Sequence, residues 1–328
     1  MPVKAGYVLL ALWLLVGADP ARAFDCARAG TVVEQLICAA PGLKSLDDAL
    51  GAAYQSVRDL TPKNGRAALS ASQRAWIAER EACSSAEDPT ACVQSSTQTR
   101  TALLQGAALA GPGLPGRIIP LFYWQDGTDA IYAIDVTLLR VTDPATPGEA
   151  RLNRLAEHLA AEIPFGPHGD EPNPYYDYIL QEGLDYLSPR FASVSIPVSS
   201  YTGGAHPNHG ISHVNVDMAT GRDLAAADLF APATQDDLTN SCRDQIIAEK
   251  TRRLAADGQS YNPADDAFLS DEVLGDHVAD LSRWSFTDRE ARIDFDPYSI
   301  GAYAEGDFAC RFDLKDLRAM ALPGALLP

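Results

Sequence analysis

Residues 201–210 read YTGGAHPNHG, and ISHVNVDMATGRDLAAADLF follows at once. Before this run ASVSIPVSSY alternates apolar and polar side chains, and after the corner GISHVNVDM does the same. A period of two marks strands that bury one face. Between them Gly203 and Gly204 supply a corner where positive φ or a close backbone approach is tolerated. Tyr201 before the corner and Pro207 after it are placed to hold its shape. The reading is a pair of strands joined by a rigid loop. Such a loop serves either as a plain turn or as a binding finger.

The flanking sequence extends the pattern. RIIPLFYW and DAIYAIDVTLLRV predict a strand pair around Asp126-Gly127, and Leu152, Leu155 and Leu159 predict a helix over 147–162. Helical stretches are expected near 234–256 and 264–281, with Asp265 or Asp266 as helix-capping residues. SRWSFTDREARIDFD predicts a hairpin turning near Asp288, and DFACRFDL a last strand. Strand pairs mixed with clustered helices predict an α+β domain with an antiparallel sheet over 118–328.

Residues 24–106 change character. Val33, Leu36, Ile37, Leu43, Leu46, Leu50, Tyr54 and Val57 recur at helical steps, as do Leu69, Gln73, Trp76, Ile77 and Arg80. A further helix runs from about Pro89 to Leu104, and Pro62, Asn64 and Gly65 break the middle. This predicts an all-α helical bundle, stapled because its core is thin. Residues 107–117, AALAGPGLPGR, read as a linker, so the chain is multidomain.

Lys4, the apolar run Tyr7–Val16 and Ala21-Arg22-Ala23 predict a signal peptide over 1–23, with the mature chain beginning at Phe24. Cys26 follows Phe24 and Asp25, which argues against a lipoprotein signal, and no later run is long enough for a stable membrane span. The expected location is periplasmic or secreted. In an oxidising compartment six cysteines predict disulfides. Cys26, Cys38, Cys83 and Cys92 allow three connectivities, which the sequence does not resolve; the pairing of near neighbours, Cys26–Cys38 and Cys83–Cys92, is preferred. Cys242 and Cys310 would make the third bridge. The chain carries a net charge of −18. Such a surface repels nucleic acid and anionic membrane and steers in a basic protein, or simply keeps the chain soluble.

Several side chains could carry chemistry. His206, His209 and His213 have metal-ligand residue types, but glycines and Pro207 make the segment a turn, and no carboxylate completes a local set. Ser199, Ser200 and His206 lie close in sequence but lack a nucleophile elbow. Asp294 and Asp296 share a strand face, although chance carboxylate pairs are expected in so acidic a chain. Asp296-Pro297-Tyr298 ends a strand, and Tyr298 reads either as an interface anchor or as a ring packed over the sheet end. No catalytic residue and no cofactor is expected.

FDCARAGTVVEQLICAAPGLKSLDDALGAAYQ at 24–55, LSASQRAWIAEREAC at 69–83, Cys92 and Arg100 resemble the LprI-type lysozyme-inhibitor domain. The last helix, VQSSTQTR, lacks the aromatic often found before the arginine. SVSIPVSSYTGGAHPNHGISHVNVDMATGRDLAAADLFAP at 193–232 and WSFTDREARIDFDPYSIGAYAEGDFACRFDLKDL at 284–317 are similar to the domain shared by RsiV-type anti-sigma factors and some peptidoglycan deacetylases. These resemblances imply a binding protein, not an enzyme, that recognises and inhibits lysozyme-type muramidases. Tyr201, Gly203, Gly204, His206, Pro207, Pro297 and Tyr298 would form the contact. A peptidoglycan-processing accessory, metal-dependent through the three histidines, is the alternative.

Overall fold

The computed structural model describes residues 25–128, 130–166, 176–256 and 258–328. The expected signal peptide and Phe24 lie outside the described residues.

Four helices build the N-terminal part: α1 (Val32–Ala39), α2 (Pro41–Leu60), α3 (Arg66–Glu81) and α4 (Pro89–Leu104). Thr31 and Glu34 form a capping box at the start of α1, and Pro41 and Pro89 open α2 and α4, where a missing N–H does no harm. Val33, Ile37, Leu43, Leu50, Val57, Leu69, Val93 and Leu104 are buried, which fits the helical spacing. Two small apolar clusters result rather than one large core. Bridges Cys26–Cys38 and Cys83–Cys92, with Cα separations of 5.7 and 5.5 Å, pair near neighbours as expected.

Much of this bundle's interior is polar. Asp47 accepts from Arg80 Nη1 at 2.9 Å, and both side chains are buried. The Arg80 guanidinium lies 4.5 Å from the centre of the Trp76 ring. Arg100 donates to Gln73 and Ser72 at 3.0 and 3.2 Å, and its guanidinium lies 5.1 Å from the Phe122 ring. Burial lowers the Arg100 pKa to about 10. Since Phe122 belongs to the next part of the chain and packs with Leu50, Ala53 and Leu104, the bundle is seated against the first strand that follows it.

That strand, β1 (Ile118–Gln125), pairs with β2 (Ala133–Val141); α5 (Pro147–Ala161) follows, then β3 (Asp177–Gln181), β4 (Gly183–Leu187), β5 (Phe191–Tyr201), β6 (Asn208–Asp217) and β7 (Arg222–Asp223). The sheet order is β1-β2-β3-β5-β6-β7, with β4 also on β5. The expected antiparallel sheet holds for all these pairs except one: β2 and β3 run parallel, so the sheet is mixed. The chain between β2 and β3 crosses over through α5, whose Leu152 and Leu155 pack on the sheet, and such a crossover returns the next strand in the same direction.

After α6 (Ala226–Leu229), α7 (Pro232–Ala256) and α8 (Asp271–Ala279), strands β8 (Trp284–Phe286), β9 (Glu290–Phe295) and β10 (Phe308–Asp313) form a second sheet, and α9 (Leu314–Met320) follows. The hairpin expected near Asp288 is β8–β9. α8 is shorter than the helix expected over 264–281, and Ser270 caps it. Asp266 therefore does not cap α8; its Oδ2 pairs with Lys250 Nζ at 2.6 Å instead. Phe191, Phe230, Trp284, Phe286 and Phe308 fill a core between the second sheet, α7 and β5. Cys242–Cys310 ties α7 to β10.

The Pro/Gly-rich segment 107–117 lies along β4. Leu109 N donates to Leu184 O at 2.9 Å, Leu187 N to Ala110 O at 3.1 Å, and Gly113 N to Leu187 O at 2.9 Å. Gly111 has φ +84°, and a Cβ there would sit 2.5 Å from Leu187 O.

Candidate functional site

The β5–β6 corner and the β9–β10 connection, far apart in sequence, meet at one end of the C-terminal part. The His206 ring stacks on Tyr303 with centroids 3.7 Å apart, and its Nε2 lies 3.0 Å from the Tyr298 hydroxyl. Tyr303 donates its hydroxyl proton to Pro207 O at 3.0 Å. His209 Nε2 lies 2.8 Å from Asp307 Oδ1. Tyr201 holds the corner from inside: its hydroxyl donates to Gly204 O at 2.9 Å, and its N–H donates to Asp177 Oδ1 at 3.1 Å. Gly203 and Gly204 have φ of +87° and +116°, as the Gly-Gly reading requires. Tyr298 also has positive φ, +69°, and is 54% exposed. A bulky residue held in that conformation on the surface marks a site whose surroundings over-determine it.

The corner is supported from behind. Lys250 on α7 is buried, with Nζ 2.6 Å from Asp266 and 3.2 Å from Glu305. Arg253 donates to Glu305 O and, at 2.8 Å, to Asp307 O. Glu305 in turn accepts from Ala302 N at 2.7 Å. Two cations of α7 thus hold the segment that carries Tyr303 and Asp307.

Beside the corner runs a groove of about 320 Å³. Its floor is Ile179 and Gln181 of β3, Pro197 and Ser199 of β5, and His209 and Ile211 of β6; Asp294, Asp296, Pro297 and Asp307 close one side. Asp294 is in turn held by buried His213, whose Nε2 lies 3.1 Å from Asp294 Oδ2 and whose Nδ1 lies 3.8 Å from Asp185 Oδ2, a charge contact too long for a hydrogen bond. Burial alone would lower the His213 pKa; the two carboxylates outweigh it and the pKa is raised. Arg292 is the other charge on Asp294. Asp296 accepts from Ile211 N at 3.0 Å and pairs with Arg283.

The seven contact residues read from the sequence fall into this one region, because Tyr298 reaches His206. The three histidines do not converge: His206 faces Tyr298 and Tyr303, His209 faces Asp307, and His213 is buried between Asp185 and Asp294. Among the described residues no group of three or more His, Cys, Asp or Glu side chains could hold a metal ion. Nor does His206 serve Ser199 or Ser200, since its ring nitrogens are taken by Pro207 O and Tyr298. Asp294 and Asp296 do share a face, but each is paired with cations. Tyr303, Asp307, Lys250 and Arg253 escaped the sequence reading; only the aromatic in SIGAYAEGDF gave a signal.

The acidic surplus is unevenly placed. Residues 118–328 hold 34 acidic and 15 basic side chains, whereas 24–106 hold 9 and 8. Among the described residues no helix is long and apolar enough to cross a membrane.

Residues 25–104 match the family described as lysozyme inhibitor LprI. Over 91 residues the chain is 40% identical to lipoprotein LprI of Mycobacterium bovis and to lipoprotein LprI of Mycobacterium tuberculosis H37Rv. The match covers 28% of this chain and 43% of those lipoproteins, so the chain spans less than half of their length. Among solved structures, a DUF3298 family protein of Pseudomonas aeruginosa PAO1 is similar over 67% of this chain and 100% of its own, with 16% identity and a TM-score of 0.43. A member of the same family from Bacteroides fragilis is similar over 63% of this chain and 93% of its own, with 13% identity and a TM-score of 0.40.

Proposed function

We propose that this chain is an exported envelope protein that binds lysozyme-type muramidases and inhibits them, acting by recognition rather than catalysis. The observation that carries the proposal is the match of 25–104 to the lysozyme-inhibitor family, at 40% identity to LprI lipoproteins. Three disulfides suit an oxidising compartment outside the cytoplasm. Lysozymes of the c type are basic, so the acidic surplus of 118–328 would steer encounter and make it salt-sensitive.

The paired loops are the proposed contact in the C-terminal part, in keeping with the RsiV-type resemblance of 193–232. Tyr201, Gly203, Gly204, His206 and Pro207 shape one edge, and Pro297 and Tyr298 the other. An aromatic ring on a fixed backbone loses little entropy when it docks.

The test is binding of the disulfide-intact mature chain to a c-type lysozyme at low and moderate salt, with lysis followed in parallel. Neutralising several acidic residues in 118–328 should slow association, and Tyr298→Ala should mainly speed dissociation. Unchanged kinetics in both variants would remove the contact placement. No binding at micromolar concentration to c-, g- or i-type lysozymes would remove the function.

A further inference from the structure

We propose that the groove floored by β3, β5 and β6 binds a neutral saccharide chain, presenting one or a few pyranose rings of an envelope glycan to this protein. The inference goes beyond lysozyme recognition and does not depend on it.

The argument starts from charge. In a domain with more than twice as many acidic as basic side chains, an open acidic groove would be the expectation. Here each carboxylate on the wall is already paired. Asp294 meets His213 at 3.1 Å and Arg292 at 2.5 Å, Asp296 meets Arg283 and Ile211 N, and Asp307 meets His209 at 2.8 Å. A cation would compete with Arg292 for Asp294 and with Arg283 for Asp296, and an anion would face three carboxylates with Arg292, the arginine that lines the groove, already held by Asp294. With Asp294 and Asp296 neutralised by arginines and Asp307 hydrogen-bonded to His209, the wall favours a ligand with no net charge.

What the groove leaves unused is suited to a polyol. Ser199 and Gln181 make no side-chain hydrogen bond among the described residues, and between them they offer two kinds of donor and acceptor. Ile179, Pro197 and Ile211 supply apolar floor, and Ile179 is 39% exposed. A pyranose ring has C–H faces for such a floor and a rim of hydroxyls that both donate and accept. The volume, about 320 Å³, sits at the lower end of the usual range of about 300–1,000 Å³ for ligand pockets. The rigid corner fixes one wall, so little ordering is needed on binding.

The experiment titrates the N-acetylglucosamine trimer, and cellotriose as an amide-free comparison, into the full mature chain by calorimetry. A dissociation constant on the order of 0.1–1 mM is expected for at least one of them. Ser199→Trp, which fills the floor, should weaken it by about tenfold or more. Gln181→Ala, at an exposed position, should weaken it by roughly threefold and guards against a folding defect in the tryptophan variant. Lysozyme binding is measured on the same samples. Saccharide binding that both floor variants weaken supports the inference, whether or not lysozyme binds. No saccharide binding at about 10 mM, or binding indifferent to both variants, overturns it, even where lysozyme binding is intact.

Discussion

Replacing His213 by glutamine should remove a pH-dependent tie between the two sheets. His213 comes from β6, Asp294 from β9 and Asp185 from β4, so one imidazole joins three strands. It is 2% exposed, and Asp185, Asp294 and, through Asp294, Arg292 are the charges that face it. Its pKa is raised, so the folded chain holds the proton more tightly than the unfolded chain. The contribution is therefore complete below the unfolded value of about 6.5 and is lost as pH rises through the folded value. Glutamine keeps a donor for Asp294 but carries no charge. Breaking a buried pair typically costs about 3–5 kcal/mol. Because Arg292 stays on Asp294, the lower end, about 3 kcal/mol, is expected near pH 6. As pH rises through the raised value the wild-type imidazole itself loses its proton, and the gap should shrink by about 1.4 kcal/mol for each unit by which the pKa had been raised. The assay is urea unfolding followed by tryptophan fluorescence from about pH 5.5 to 9, wild type against His213→Gln. Other titrating groups contribute to both chains and cancel in the difference. A gap that is constant with pH, or that widens as pH rises, would refute the reasoning.

Two further outcomes follow from buried charge. Glu182 is buried and accepts from Leu139 N at 2.7 Å, and burial pushes its pKa up to about 7. An acid with a raised folded pKa weakens the fold progressively above the unfolded value of about 4.3, with the penalty complete above about 7. Glu182→Gln should thus raise stability by only about 1 kcal/mol near pH 5 and by roughly 3 kcal/mol at pH 8, read from urea midpoints; a gain at pH 5 as large as at pH 8 would count against it. In the helical bundle, Asp47→Ala strands buried Arg80 and should cost about 3–5 kcal/mol, whereas replacing Asp47 and Arg80 together by Leu and Met should cost much less. Equal losses in the single and double variants, measured by thermal unfolding, would show that the pair is not coupled.

Local periodicity made most of the elements legible. The β5–β6 pair follows from alternation around Gly203-Gly204, whereas the near-neighbour bridges, 12 and 9 residues apart, are the preferred one of three connectivities that the sequence leaves open. The parallel β2–β3 pair was not legible, because it depends on where α5 packs rather than on any pattern within the strands. The site shows the same limit more sharply. Each half of the corner could be read, but His206 and Tyr298 are 92 residues apart, and His213 and Asp294 are 81 apart. A histidine in an alternating strand looks the same whether it faces water or two carboxylates. The aspartates were read as surplus charge in an acidic chain. In the fold, Asp294 and Asp296 are bound to Arg292, His213 and Arg283. Net charge therefore describes how this protein would meet a basic partner from a distance. The pairing of individual charges, visible only once distant strands are brought together, describes what the groove can hold. The two need not select the same ligand, which is why the lysozyme reading and the saccharide reading can be separated by experiment.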